Sequence, residues 1–188
     1  MITTDTIIKD PNPLLRQKSE KIELPLSQED QQLVDSLYEY VVNSTNPELA
    51  QKYNLQPAVG IAAPQIGVLK QACAIVIYDY DDEGEITNTT QFVLINPVIL
   101  SKSAKLAALS EGEGCLSIKE PYPGYVYRSH KIKVRAYDAL TKENITIDAT
   151  GYLAIVMQHE IDHLNGILFY DHISKTEPDY INPKAIII

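Results

Sequence analysis

Gln158-His159-Glu160-Ile161-Asp162-His163 lies near the end of a segment, about Thr150 to Asn165, that reads as a helix with Gly166 as its C′ residue. Residues four apart sit one turn apart on one face of a helix. His159 and His163 can therefore aim two imidazoles at one metal ion, with Glu160 beside them to handle a proton on bound water. The chain has four histidines in 188 residues. At that frequency, an H-E-x-x-H arising by coincidence on an ordinary amphipathic helix is the weaker reading. A catalytic site of this type takes a third protein ligand and keeps one position open.

Downstream, the third ligand is hard to find. One extended zinc pattern requires His six residues after His163, where this chain has Phe169. Another uses a Glu, and the one available, Glu177, stands beside Pro178 near the chain end. His172 is a bare alternative. Upstream, Ser110-Glu111-Gly112-Glu113-Gly114-Cys115-Leu116-Ser117 is better. Glycines let the backbone approach another group closely, and a cysteine near a divalent ion ligates as thiolate. Taken alone, Cys115 reads equally well as a buried free thiol. A third stretch, Pro57-Ala58-Val59-Gly60-Ile61-Ala62-Ala63-Pro64-Gln65-Ile66-Gly67, is tight and small-residued. It reads either as a turn feeding the next strand or as a stretch in which Gln65 lends an amide N–H to an oxyanion.

The rest of the chain supplies the frame. Residues 27–43 predict a helix capped by Ser27, with Glu29 and Asp30 in the first turn and Val34, Leu37, Tyr38, Val41 and Val42 on one face. Asn46-Pro47 stops it, and residues 44–57 read as loop. Strands are predicted at Ala72–Tyr78, Phe92–Ile95, Lys105–Leu109, Lys131–Tyr137 and Asn144–Ala149, with Asp79–Thr90 as a solvated acidic turn. Helix, several antiparallel-looking strands, then helix argues an α+β fold. No boundary is visible, so residues 1–188 read as a single domain.

Composition excludes several classes. Sixteen Lys+Arg against 25 Asp+Glu leave a net charge of −9. That argues against nucleic acid or an anionic membrane as a whole-surface partner, leaving room only for a local basic patch. No apolar run approaches the roughly 18–20 residues of a membrane helix, and the first residues lack the basic and apolar regions of a secretory signal. The expected location is the cytoplasm. Two cysteines make no disulfide framework, and Cys73, inside an apolar run, reads as a small buried hydrophobe.

In order, Gly60-Ile61-Ala62-Ala63-Pro64-Gln65, Glu113-Gly114-Cys115-Leu116-Ser117 and Gln158-His159-Glu160-Ile161-Asp162-His163 closely resemble the three motifs of the peptide deformylase family. The resemblance runs from the Pro11–Leu15 region to about Tyr170. Glu111-Gly112-Glu113-Gly114, the long segment between the first two motifs, and Pro123-Gly124-Tyr125-Val126 look like its type II branch, common in Gram-positive bacteria. The resemblance implies antiparallel sheets packed around the C-terminal helix that carries the histidines. It also implies a terminal strand, which Ala185-Ile186-Ile187-Ile188 fits. It implies Cys115, His159 and His163 as metal ligands, Glu160 as general base and then acid, and Gln65 with the Leu116 N–H as oxyanion donors. Gly60, with Val59, Ile61, Gly114 and Tyr125, would contact substrate, and Glu113 paired with Arg128 would support the site.

The implied reaction removes the N-formyl group from the formyl-methionine of a nascent chain or peptide, with transient action at the ribosome. The implied native ion is Fe²⁺; the His₂Cys set also suits Zn²⁺, Ni²⁺ and Co²⁺. One departure is visible. The family's G-x-G-x-A-A-P-Q has Ala58 for its first glycine here, which would cost about 1 kcal/mol if that backbone were left-handed. Ile155, Val156 and Tyr152 precede His159 by four, three and seven residues. They are expected to wall the methionine pocket, although Tyr152 fits plain core packing equally well. Two alternatives remain at this point: a zinc metallopeptidase, and a binding module in which the ion only stabilises the fold.

Overall fold

The computed structural model describes residues 1–188. Helix α1 runs Gln28–Thr45 and α2 runs Pro47–Tyr53. Strands follow at Gly60–Ala62 (β1), Ala72–Tyr80 (β2), Ile86–Lys102 (β3), Leu106–Ala108 (β4), Arg128–Ser129 (β5), Lys131–Asp138 (β6) and Glu143–Thr150 (β7). Helix α3 spans Gly151–Leu164, and β8, Ile186–Ile187, ends the chain. One sheet has the order β1-β2-β3-β6-β7, antiparallel throughout. A second, smaller sheet has the order β5-β4-β8. The sheets are antiparallel as expected except at the terminal strand, where β8 returns parallel to β4. No helix is long and apolar enough to cross a membrane.

Ser27 caps α1 as expected, its hydroxyl accepting the Asp30 N–H at 3.0 Å. Residues 44–57 are not all loop. Asn46 ends α1 and its side chain accepts the N–H groups of Glu48 and Leu49 to start α2. Asn46-Pro47 is therefore a relay between two helices, since Pro fits the first turn of a new helix. The acidic turn is also shorter than expected, because β2 and β3 stay paired out to Tyr80 and Ile86 around it. β3 then continues past Asn96-Pro97 to pair with β6. Asn96 adopts φ +51° at a register shift, a conformation Asn tolerates. Its amide bonds both the N–H and the C=O of Ile22. A proline inside a strand is accommodated at such an irregularity.

β2 alternates between two cores. Ala72, Ala74 and Val76 join Val34, Leu37, Tyr40 and Val41 of α1 in one apolar cluster. Cys73, Ile75 and Ile77 join Ala154, Val156, Met157, Ile161 and Leu164 of α3 in the other. Cys73 is fully buried, as expected, and burial pushes its thiol well up. Just beyond α3, Gly166 takes φ +72°, and an added Cβ there would lie 2.5 Å from the Arg16 carbonyl oxygen. This glycine thus serves both the helix end and the close passage of the N-terminal segment.

Candidate active site

His159 and His163 project from α3 with ring centroids 5.0 Å apart. Cys115 reaches them from the connection between β4 and β5, its Sγ 3.3 Å from His163 Nε2. One ligand atom from each of Cys115, His159 and His163 falls within 4.8 Å of the others. The third candidate ligand is thus the upstream cysteine. His172, the downstream alternative, turns instead to Asp162, 2.7 Å away.

The donor chemistry fits a divalent ion. His159 Nδ1 lies 2.8 Å from Glu113 Oε2, which leaves Nε2 free to ligate. Burial lowers the proton affinity of His159, but its hydrogen bonds to Cys115 and Glu113 win and hold its pKa up to about 10. Burial likewise opposes the Cys115 thiolate, yet the two histidines pull the thiol well below its ordinary value. A cluster that stabilises a thiolate beside shared protons is one that a cation can take over. Glu113 is gripped through both oxygens by buried Arg128, at 2.6 and 3.0 Å. Arg128 also donates to Asp162 at 2.7 Å, a second acid that sequence reading missed.

Glu160 is buried, and its Oε2 has no hydrogen-bond partner. Burial pushes its carboxyl up from the ordinary range, partly offset by the charges of His159 and His163. Gly60 on β1 explains how it fits. A Cβ there would sit 2.5 Å from Glu160 Oε1, so only glycine lets β1 pass this side chain. Gln65 follows β1. Its Oε1 accepts the Ala62 N–H at 2.9 Å, which turns Nε2 toward Cys115 Sγ at 3.5 Å and Ser117 Oγ at 3.3 Å. The Leu116 N–H donates to no main-chain carbonyl.

A cavity of about 370 Å³ opens beside these groups, within the size range of small-ligand sites. Val59, Gly60, Gln65, Gly114, Cys115, Leu116, Tyr152, Ile155, Val156, His159 and Glu160 all line it. Two residues expected there do not. Ile61 is fully buried in the α1-side core, because strand alternation turns it away from the cavity. Tyr125 stacks on Tyr127 with centroids 5.9 Å apart, and its N–H bonds the Pro178 carbonyl. The structure adds Thr45, Gln56 and Leu109 to the lining. Gln56 borders the first motif, whereas Thr45 comes from the end of α1, with no local signal to announce it. Ala58 is not among the residues with positive φ, so the missing glycine brings no backbone strain.

The polypeptide deformylase family profile matches residues 4–179 of this chain. The chain belongs to the peptide deformylase family. It is 50% identical over 188 residues to the peptide deformylase of Ligilactobacillus salivarius, covering 100% of both chains. It is 47% identical over 188 residues to peptide deformylase 2 of Bacillus subtilis, covering 100% of this chain and 99% of that one. Among solved structures, the peptide deformylase of Ehrlichia chaffeensis superposes with a TM-score of 0.71 at 30% identity, covering 92% of this chain and 89% of that one. The fold, with its α3 histidines beside a mid-chain cysteine, is the deformylase fold. The chain is an enzyme, a hydrolase that takes the formyl group from formylmethionine.

Proposed function

We propose that the cavity receives the formyl-methionyl end of a peptide or nascent chain, and that Glu160 moves the protons of its hydrolysis. The buried, unpartnered Oε2 of Glu160 beside three converging ligand atoms carries this reading. Cys115, His159 and His163 would hold a divalent ion, which when bound supplies Lewis acidity to water and to the formyl oxygen. Glu160 takes a proton from the attacking water. Its raised proton affinity brings it closer to the working pH, where general bases are most effective. As the formyl carbon becomes tetrahedral, negative charge grows on its oxygen. The Gln65 amide, held by Ala62, and the Leu116 N–H, which donates to no main-chain carbonyl, would meet that charge. One such donor is worth about 3 kcal/mol in other enzymes. Glu160 then delivers the proton to the leaving amine, and formate departs.

Val59, Leu116, Ile155 and Val156 give the methionine side chain an apolar wall, with Tyr152 at its exposed edge. Gly60 and Gly114 leave the peptide backbone room to approach. Glu113 and Arg128 keep His159 in its ligating tautomer. The ion is read as Fe²⁺, as the family resemblance implies, with Zn²⁺, Ni²⁺ and Co²⁺ suited to the same donors. A substrate made on the ribosome supports the reading of a cytoplasmic enzyme acting as one domain over residues 1–188.

The test is anaerobic purification, elemental analysis and a formate assay on a formyl-Met tripeptide. One equivalent of a transition metal and stoichiometric formate are expected. Internal cleavage of a longer formylated peptide without formate would overturn the assignment in favour of a peptidase. Bound metal with no turnover of either kind would favour a structural site.

A further inference from the structure

Residues Phe169–His172 form a short 3₁₀ turn just beyond α3. The site subject to this turn is His159. At one end of the turn, the buried Phe169 ring lies 6.1 Å from the His159 ring, centroid to centroid, with the planes 17° apart. This is offset stacking. The same position is where an extended zinc pattern would carry a histidine ligand, so the chain keeps a ring there and uses its face. At the other end, His172 Nε2 lies 2.7 Å from Asp162 Oδ2. That oxygen also accepts from Arg128, whose remaining donors grip Glu113, which in turn holds His159 Nδ1. The turn therefore reaches His159 twice, once through a ring face and once through a chain of ionic hydrogen bonds.

The turn is itself fastened. Asp171 accepts the Leu168 N–H at 2.9 Å and pairs with Arg16. Arg16 also donates to the Tyr170 hydroxyl at 2.7 Å, and its guanidinium lies 5.2 Å over the Tyr170 ring. Neither Phe169, His172 nor Arg16 lines the substrate cavity.

We propose that the Phe169–His172 turn is a backstop for the metal site, in which Phe169 and His172 are positioning residues for His159 and Arg16 anchors the turn to the N-terminal segment. This rests on His159 being a metal ligand. An imidazole anchored at Nδ1 can still tip about that bond, and a ring stacked beside it limits the motion. Arg128 is shared between two carboxylates, and His172 fixes the outer one so that Arg128 keeps both bonds to Glu113. Losing an outer partner of a ligating histidine typically costs about 10–100-fold in metal affinity or activity.

The experiment titrates Co²⁺ into the metal-free full chain against a chromophoric chelator, recording the thiolate–Co²⁺ absorption. Wild type, Phe169→Leu, His172→Ala, His172→Gln and Arg16→Ala are compared, with kcat and KM for a formyl-Met peptide and Tm of each metal-free chain. Phe169→Leu is expected to weaken Co²⁺ binding by about tenfold or more, shift the absorption and lower kcat, while KM stays unchanged. His172→Ala does the same to a smaller degree, and His172→Gln, which restores a donor to Asp162, recovers most of the loss. Unchanged Co²⁺ affinity and spectrum in folded Phe169→Leu and His172→Ala chains overturn the proposal. Should Phe169→Leu fail to fold, Arg16→Ala decides, since it loosens the turn from an exposed position: weaker Co²⁺ binding supports the backstop and unchanged binding overturns it. A wild-type chain with no Cys115-dependent Co²⁺ absorption fails the metal-site reading first, and the backstop falls with it.

Discussion

Helix α1 packs Val34, Leu37, Tyr40 and Val41 against Ala72, Ala74 and Val76 of β2, while α3 packs Ala154, Met157 and Ile161 against Cys73, Ile75 and Ile77 on the other face. The buried polar groups of α1 all find partners. The Tyr40 hydroxyl donates to the Gln56 carbonyl, Ser44 bonds Val41 and Ala58, and Asp30 pairs with Lys70 and Ser27. On the α3 side Glu160 Oε2 and His163 Nδ1 are buried without one, as are Ser19 Oγ and His130 Nδ1, which lie against the two ends of α3. Each such group costs about 1–3 kcal/mol. Two helices on one strand thus divide the work. The α1 side is built for stability, whereas the α3 side leaves polar atoms unpaired at a cost in stability, and one of them, Glu160 Oε2, is the atom to which the proposed chemistry assigns a proton.

The division is tested most severely at Glu160. Glu160→Gln should lower formate release by about a thousandfold, roughly 4 kcal/mol in the barrier, with metal content retained. Loss of the metal together with activity would show that Glu160 serves the site's structure. The mirror experiment is Leu37→Ala, which removes a fully buried side chain from the α1 side. It should cost about 2–5 kcal/mol in denaturant unfolding while kcat stays at the wild-type value. A kcat that fell with stability would mean the two sides are coupled.

Gly60→Ala probes the seam between them, since β1 contributes to both clusters. The new Cβ would meet Glu160 Oε1 at 2.5 Å and push the carboxylate off its position. Steady-state kinetics should show a tenfold to hundredfold lower kcat, about the effect of a small misplacement of a reacting group. An unaltered kcat would show that Glu160 has room to move.

The smallest effect belongs to the rim of the α1 side. Hydrogen bonds from Lys70 and Ser27 hold the Asp30 carboxyl below its ordinary range. A folded pKa below the unfolded one contributes stability above the unfolded value and loses it as pH falls through the folded one. Asp30→Asn should therefore cost about 0.5–1 kcal/mol near neutral pH. The gap from wild type should hold constant down to about pH 5 and close below about 3.8, the ordinary carboxylate value. A gap independent of pH down to pH 2 would remove the ion pair as its source.

Sequence alone determined α1, α3, the cores of the long strands and the candidate ligand pattern of the site. Periodicity is local, so Val34, Leu37 and Val41 declare the face of α1, and the i, i+4 spacing of His159 and His163 declares a shared ligand face on α3. The continuation of β3 through Asn96-Pro97 was not legible, because the bulge there is held by Ile22, far away in the chain. Nor was α2, whose start depends on one asparagine ending a helix and capping the next. Only the tertiary structure decided that Ile61 and Tyr125 turn away from the cavity, that Thr45 and Leu109 enter it, and that Asp162 and His172 join Arg128 behind the ligands. Local spacing sets which way a side chain leaves its own element. Which distant element meets it there depends on how β2, β3 and α3 pack, and that is a property of the whole chain.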